Sequence, residues 1–196
     1  MFKKLPDSTR KPDRRIQRTR DALGAALITL MREKPFDAIT VQDLLDLAGV
    51  SRSTFYTHFR DKDDLFLSDA DGFFHHMANL LTQRAEASER VAPVREMFAH
   101  VASLGKFYDA LVASGVHQDA IDLAQEHFAR GIEHRLARLS PAHENGSANR
   151  AALAYTLAGA MFSLMRWWLD RGKSASPAQM DEFFHRMVWG GVRGIH

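Results

Sequence analysis

The chain has 196 residues, 45% of them hydrophobic and 26% charged, a balance that suits a soluble globular protein with one good core, or a small domain joined to a larger one. It has no cysteine, which excludes disulfides and thiol nucleophiles and favours a reducing, cytoplasmic setting. The net charge of +2 hides an asymmetry, because residues 1–20 hold eight lysines and arginines against Asp7 and Asp13; this basic arm on a mildly acidic body is either an end that meets an anion or a solvated tail.

The pattern is helical from end to end, and an all-α fold is expected. Asp13 can cap a first helix that runs to about Lys34, where Pro35 stops it; its apolar stripe is Ile16, Leu23, Leu27, Leu30 and Met31. Thr40-Val41-Gln42-Asp43 has the form of a capping box, and the helix it opens ends at Gly49. Ser51 caps the next helix, and Asp61 caps the one after, predicted to continue to about Ala87. Pro93 starts another, Gly105 and Gly115 interrupt the chain beyond it, and residues 118–139 form a long amphipathic helix ended by Ser140-Pro141. A polar loop, AHENGSAN, leads to an apolar helix over 147–171 that Gly172 closes. Its uncharged run, residues 151–165, is shorter than the roughly 20 residues of a membrane span, so a buried helix is expected. No apolar stretch follows the basic start, so no secretory signal is expected. Ser176-Pro177-Ala178-Gln179 opens the last helix.

Two short helices meeting across a turn with Gly49 form a helix-turn-helix arrangement. On the second, Phe55 and Phe59 share one face at helical spacing, while Ser53, Thr54, Tyr56, Thr57 and Arg60 lie on the far side. Small hydroxyls permit close approach to a groove. Arginine can bond guanine bidentately, and threonine methyls can touch thymine methyls. The polar face therefore fits the major groove of DNA; the plain alternative, a solvated surface, is disfavoured by the helix-turn-helix spacing and the nearby basic arm.

The stretch ITVQDLLDLAGVSRSTFYTHFRDKDDLF resembles the N-terminal DNA-binding domain of the TetR family of bacterial transcription regulators. The resemblance rests on Thr40 opening the second helix, the Ala48-Gly49-Val50-Ser51 turn, the run Phe55-Tyr56 to His58-Phe59, and Lys62 followed by Leu65, and it covers about residues 13–66. It implies that Arg52, Ser53, Thr54 and Tyr56 meet bases or nearby backbone, that Gln42 and Thr57 stand where some members contact DNA, and that Thr40, His58 and Lys62 contact phosphates. Phe55, Phe59, Val50 and Leu65 would be core. Two parts are expected: residues 1–60, the arm and helix-turn-helix domain, and residues 61–196, a helical effector-binding and dimerisation domain.

Over the second part the resemblance is weak at the level of sequence, and it implies dimerisation and effector binding. Tyr155, Gly159, Phe162, Arg166, Phe184, Met187 and Gly191 on the last two helices are the expected interface between subunits, because a palindromic operator requires a two-fold symmetric reader; the plain alternative is that these helices simply finish the core of one chain. Phe73, Phe74, Met77, His100, Phe107, Tyr108, Met161 and Met165 could line an effector cavity, although aromatics and methionines at such spacing are also ordinary core. No cofactor fingerprint appears. His75 and His76 point about 100° apart on a helix, and no His-Glu-x-x-His spacing exists, so neither metal nor enzyme chemistry is expected.

The reading is a homodimeric, ligand-responsive regulator, a repressor on a double-stranded DNA operator, with an unidentified small-molecule effector and no membrane partner. The resemblance further implies that effector binding tilts the helix beginning at Asp61 and changes the separation of the two reading heads. Two alternatives stay open: an activator or a regulator with a protein partner as input, and a helical ligand carrier or enzyme that does not bind DNA.

Overall fold

The computed structural model of the chain describes residues 14–84, 87–104, 117–139 and 147–193. Among these residues there are helices and no strand. They are α1 (Arg14–Glu33), a single 3-10 turn (Phe36–Ala38), α2 (Val41–Ala48), α3 (Arg52–His58), α4 (Lys62–Ala78), the one-turn α5 (Leu80–Gln83), α6 (Val94–Leu104), α7 (His117–Leu139), α8 (Ser147–Asp170) and α9 (Pro177–Arg193). The basic arm before Arg14, the cap at Asp13, the interruptions at Gly105 and Gly115, Phe107, Tyr108, and the loop that starts at Ser140-Pro141 lie outside the described residues. The chain divides into two compact units, one ending at Phe66 and the other beginning at Leu67.

In the first unit, Leu23, Leu27, Leu30 and Met31 of α1 close over Phe36, Ile39, Leu44, Leu45, Phe55, Phe59 and Leu65, all buried. Each such side chain withdrawn from water contributes about 1.5–3 kcal/mol, which gives this small unit its own core. Ile16, expected on the buried stripe, is 43% exposed. It lies beside α3 rather than over the core.

The second unit is built on Phe98 of α6, Phe128 and Ile132 of α7, Met161, Met165 and Trp168 of α8, and Phe184 of α9. Rings stack edgewise or tilted, Phe128 on Phe162 at 5.4 Å and Phe98 on Trp168 at 5.0 Å. The segment before α6 is stitched to its neighbours by directed bonds: Val91 N–H donates to His185 Nε2 at 3.0 Å, Arg135 Nε to the Arg90 carbonyl at 2.9 Å, and Trp189 Nε1 to the Glu89 carbonyl at 3.0 Å. Arg90 also pairs with Glu96 and Asp181. Burial pushes the Asp181 carboxyl up, but bonds from His185 and Arg90 outweigh it and hold the group below the usual carboxylate range.

One helix boundary departs from expectation. The helix predicted to reach Ala87 stops at Ala78. Asn79 turns its side-chain amide back to the His75 carbonyl at 2.8 Å, and α7 crosses at Gly131, where the Ala78 carbonyl leaves no room for a side chain.

Candidate nucleic-acid interface

Local chemistry shapes the start of α2. The Thr40 N–H and hydroxyl donate to Asp43 Oδ2 at 2.7 and 2.8 Å, and the Asp43 N–H donates back to Thr40 Oγ1 at 3.2 Å, a complete capping box. Lys34 Nζ reaches the same carboxylate oxygen at 2.7 Å. The bond from Lys34, followed by those from Thr40, lowers the Asp43 pKa from 3.8 to about 2.

Gly49 ends α2 at φ 63° and ψ 34°, in the left-handed region, and its N–H bonds the Leu45 carbonyl. Without a Cβ it adopts this conformation free of the strain any other L-residue meets. Ser51 then caps α3, accepting the Thr54 N–H at 3.3 Å. The turn is thereby set, and α3 buries Phe55 completely.

The opposite face of α3 is open. Arg52, Ser53, Tyr56 and Thr57 are exposed, while Thr54 and His58 are half-buried. Tyr56 stands edge-on to Phe55 at 5.3 Å, so its phenol projects from a fixed base. Thr57 donates to the Ser53 carbonyl at 2.9 Å. Between α3 and the first turns of α1 runs an open groove of about 260 Å³, lined by Ser53, Thr54, Thr57 and His58 on one side and Arg15, Ile16 and Thr19 on the other. Arg15 and Thr19 are not in the set predicted from sequence; their signal is a four-residue step on α1 on the side facing α3. The groove offers hydroxyls, an imidazole and a guanidinium to an extended anion, the chemistry of a phosphate strand.

Two expected contacts are engaged inside the protein. Lys62 Nζ donates to the Phe36 carbonyl at 2.7 Å and sits over the Phe36 ring at 4.5 Å. Its ammonium is therefore turned inward, where a phosphate contact was expected, because the 3-10 turn brings an aromatic face and a carbonyl beside the start of α4. Gln42, exposed on α2, bonds both Asp46 at 2.8 Å and Arg52 at 3.1 Å.

Among the expected effector residues, Met161 and Met165 are fully interior, and Phe73, Phe74 and Met77 pack half-buried against the same core. His100 stacks on Phe73 at 4.4 Å, and burial pulls its pKa below the ordinary histidine value. Among the expected interface residues, Tyr155, Arg166, Met187 and Gly191 are exposed. Phe162 and Phe184 instead lie in the core of the chain itself, 6% and 0% exposed, so they have no surface left to offer a partner. A Cβ on Gly159 would meet Gln125 of α7 at 3.4 Å, which turns that position toward its own chain. Trp167 and Phe183, on the same two apolar helices, are also 47% and 48% exposed.

Among the described residues no helix is long and apolar enough to cross a membrane, and no group of three or more histidines and carboxylates could hold a metal ion.

Residues 24–68 match the family described as bacterial regulatory proteins, tetR family. Over 54 residues the chain is 39% identical to the uncharacterized HTH-type transcriptional regulator YxbF of Bacillus subtilis (strain 168), a match that covers 27% of this chain and only 14% of that protein. A TetR transcriptional regulator from Streptococcus agalactiae 2603V shares the fold at a TM-score of 0.58 and 24% identity, over 90% of this chain and 96% of that one. So does Thermus thermophilus FadR, a TetR family transcriptional repressor solved in complex with lauroyl-CoA, at a TM-score of 0.55 and 22% identity, over 87% and 93% of the two chains. The family match thus identifies residues 24–68 as a tetR-type helix-turn-helix segment, and the chain as a whole shares its fold with solved TetR regulators.

Proposed function

We propose that the protein is a ligand-responsive transcription regulator, a repressor that binds a palindromic operator as a homodimer in the cytoplasm. The observation that carries the DNA-binding part is the outer face of α3. Arg52, Ser53, Tyr56 and Thr57 stand exposed on a helix whose other face is pinned by buried Phe55, with the polar groove against α1 alongside. A short helix so oriented can enter a major groove with its first residues at base edges. Arg52 is the long donor for guanine, Ser53, Thr54 and Thr57 the close-approach hydroxyls, and Tyr56 the rigid reach to sugar and phosphate. Thr40, His58 and the backbone N–H groups at the start of α4, around Lys62, face phosphates.

Dimerisation through α8 and α9 is supported by the exposure of Tyr155, Trp167, Phe183 and Met187, large apolar side chains on the last two helices. An effector site in the second unit is supported by the fold held in common with a regulator solved with lauroyl-CoA, and the half-buried Phe73, Phe74, Met77 and His100 are its candidate lining. Helix α4 is the candidate transmitter. Within the second unit it is tied to α7 by Asp71 against His127 at 2.7 Å and by Ala78 against Gly131.

The test is binding to a randomised duplex library, followed by a salt series on the enriched duplex. A regulator of this kind enriches an inverted repeat, and log affinity falls steeply with log salt as phosphate counterions are released. Absence of any enriched sequence would overturn the DNA-binding reading. Enrichment of a single half-site would overturn the dimeric one.

A further inference from the structure

The side chains of Asp46, Gln42 and Arg52 form a chain of hydrogen bonds across the helix-turn-helix. Gln42 Nε2 donates to Asp46 Oδ1 at 2.8 Å, one turn along α2. Arg52 Nη2, at the start of α3, donates to Gln42 Oε1 at 3.1 Å. The order of donors is chemically forced. An ionised carboxylate only accepts and a guanidinium only donates, so the amide between them has one permitted orientation, NH₂ toward Asp46 and carbonyl toward Arg52. Both polar ends of Gln42 are then engaged. Arg52 has committed one of its five N–H donors, which biases the direction of the rest of the planar fork.

We infer that Gln42 is a positioning residue for base readout: oriented by Asp46, it aims the Arg52 guanidinium, and it is not itself a reader of DNA. This inference rests on the DNA-binding reading above. An exposed arginine otherwise samples many rotamers, and fixing it costs conformational entropy on binding. A fork held before contact loses less and accepts a narrower set of base edges, which sharpens the choice of guanine over other bases.

The test compares base preferences of full-length wild type, Arg52→Ala, Gln42→Ala and Arg52→Ala/Gln42→Ala on a randomised duplex library. Arg52→Ala identifies the base pair that Arg52 reads. Gln42→Ala is expected to lower the preference at that same base pair by about five-fold, the effect of losing one ordinary hydrogen bond at an exposed site, and the double variant is expected to match Arg52→Ala alone. The polarity-swapped variant Gln42→Glu/Asp46→Asn supplies a rescue. The carboxylate introduced at position 42 accepts from both Arg52 and the amide introduced at position 46, net charge is unchanged, and the preference is expected to return. Loss of preference at a different base pair in Gln42→Ala would mean that Gln42 reads DNA directly, and unchanged preference would mean that the relay has no role; either overturns the inference while leaving the DNA-binding reading intact. If wild type itself enriches no sequence, the DNA-binding reading falls and the inference with it.

Discussion

Gly131 of α7 passes so close to the end of α4 that a Cβ built on it would lie 2.5 Å from the carbonyl oxygen of Ala78. The obstacle is backbone, not a side chain that could swing away. Exchanging glycine for alanine in a helix normally gains about 1 kcal/mol, but overpacking against a fixed neighbour costs about 1–3 kcal/mol. Gly131→Ala is therefore expected to destabilise the protein or shift the end of α4. Gly72 is the control. It lies in α4 with nothing within 4 Å of its Cβ position, so Gly72→Ala is expected to stabilise by about 0.5–1 kcal/mol. Thermal unfolding followed by circular dichroism should move in opposite directions for the two variants; equal shifts of one sign would contradict the close approach.

The inward turn of Lys62 separates two roles. Lys62→Met keeps the apolar stem and removes the bond to Phe36 and the cation over its ring, a loss of about 1–2 kcal/mol. The expected outcome is a lower unfolding temperature with the salt slope of DNA binding unchanged. A slope reduced by about one, with stability unchanged, would place the ammonium on a phosphate instead.

Acid should loosen the start of α2. The folded Asp43 carboxyl titrates at about 2 against 3.8 for the free side chain, held down first by Lys34 and then by Thr40. A depressed carboxyl favours the folded state above the unfolded pKa, and that contribution disappears as pH falls from about 4 to about 2. The stability difference between wild type and Asp43→Asn is expected to be constant above about pH 5 and to shrink across that window. Parallel curves for the two proteins throughout the acid range would mean that Asp43 has no part in the loss.

Arg52→Ala should weaken binding to the enriched duplex by about 1–3 kcal/mol and flatten the preference at one base pair in each half-site. Equal weakening on all sequences would instead make Arg52 a phosphate contact. Fluorescence anisotropy on matched and mismatched duplexes separates these outcomes.

Met187 offers a test of assembly that Gly159 does not, because Met187 is 45% exposed whereas Gly159 faces Gln125 of its own chain. Met187→Glu places a charge where an apolar contact between subunits is expected, and burying it unpaired is strongly unfavourable. Sedimentation velocity should report a shift toward monomer with helicity retained. A fully dimeric, helical Met187→Glu protein would locate the interface elsewhere.

The helix-turn-helix could be read from sequence because its determinants act within one turn of chain. Thr40 and Asp43 cap α2 across three residues, Gly49 ends it by lacking a Cβ, and Ser51 caps α3 across three more. The spacing of Phe55 and Phe59 likewise specified which side of α3 is buried and which faces out. The all-helical class followed from the same periodicity. What the side chains do once folded depends on partners far along the chain. Lys62 meets Phe36 across 26 residues, a contact in which the direction of a flexible ammonium is set by where the 3-10 turn lies. The end of α4 is set at Gly131, on a helix that starts 39 residues after Ala78. The interior and exterior of α8 were least legible. A helix apolar on nearly every side carries no phase in its sequence, so only packing against α7 and its neighbours decides that Phe162 is core and Tyr155 is surface.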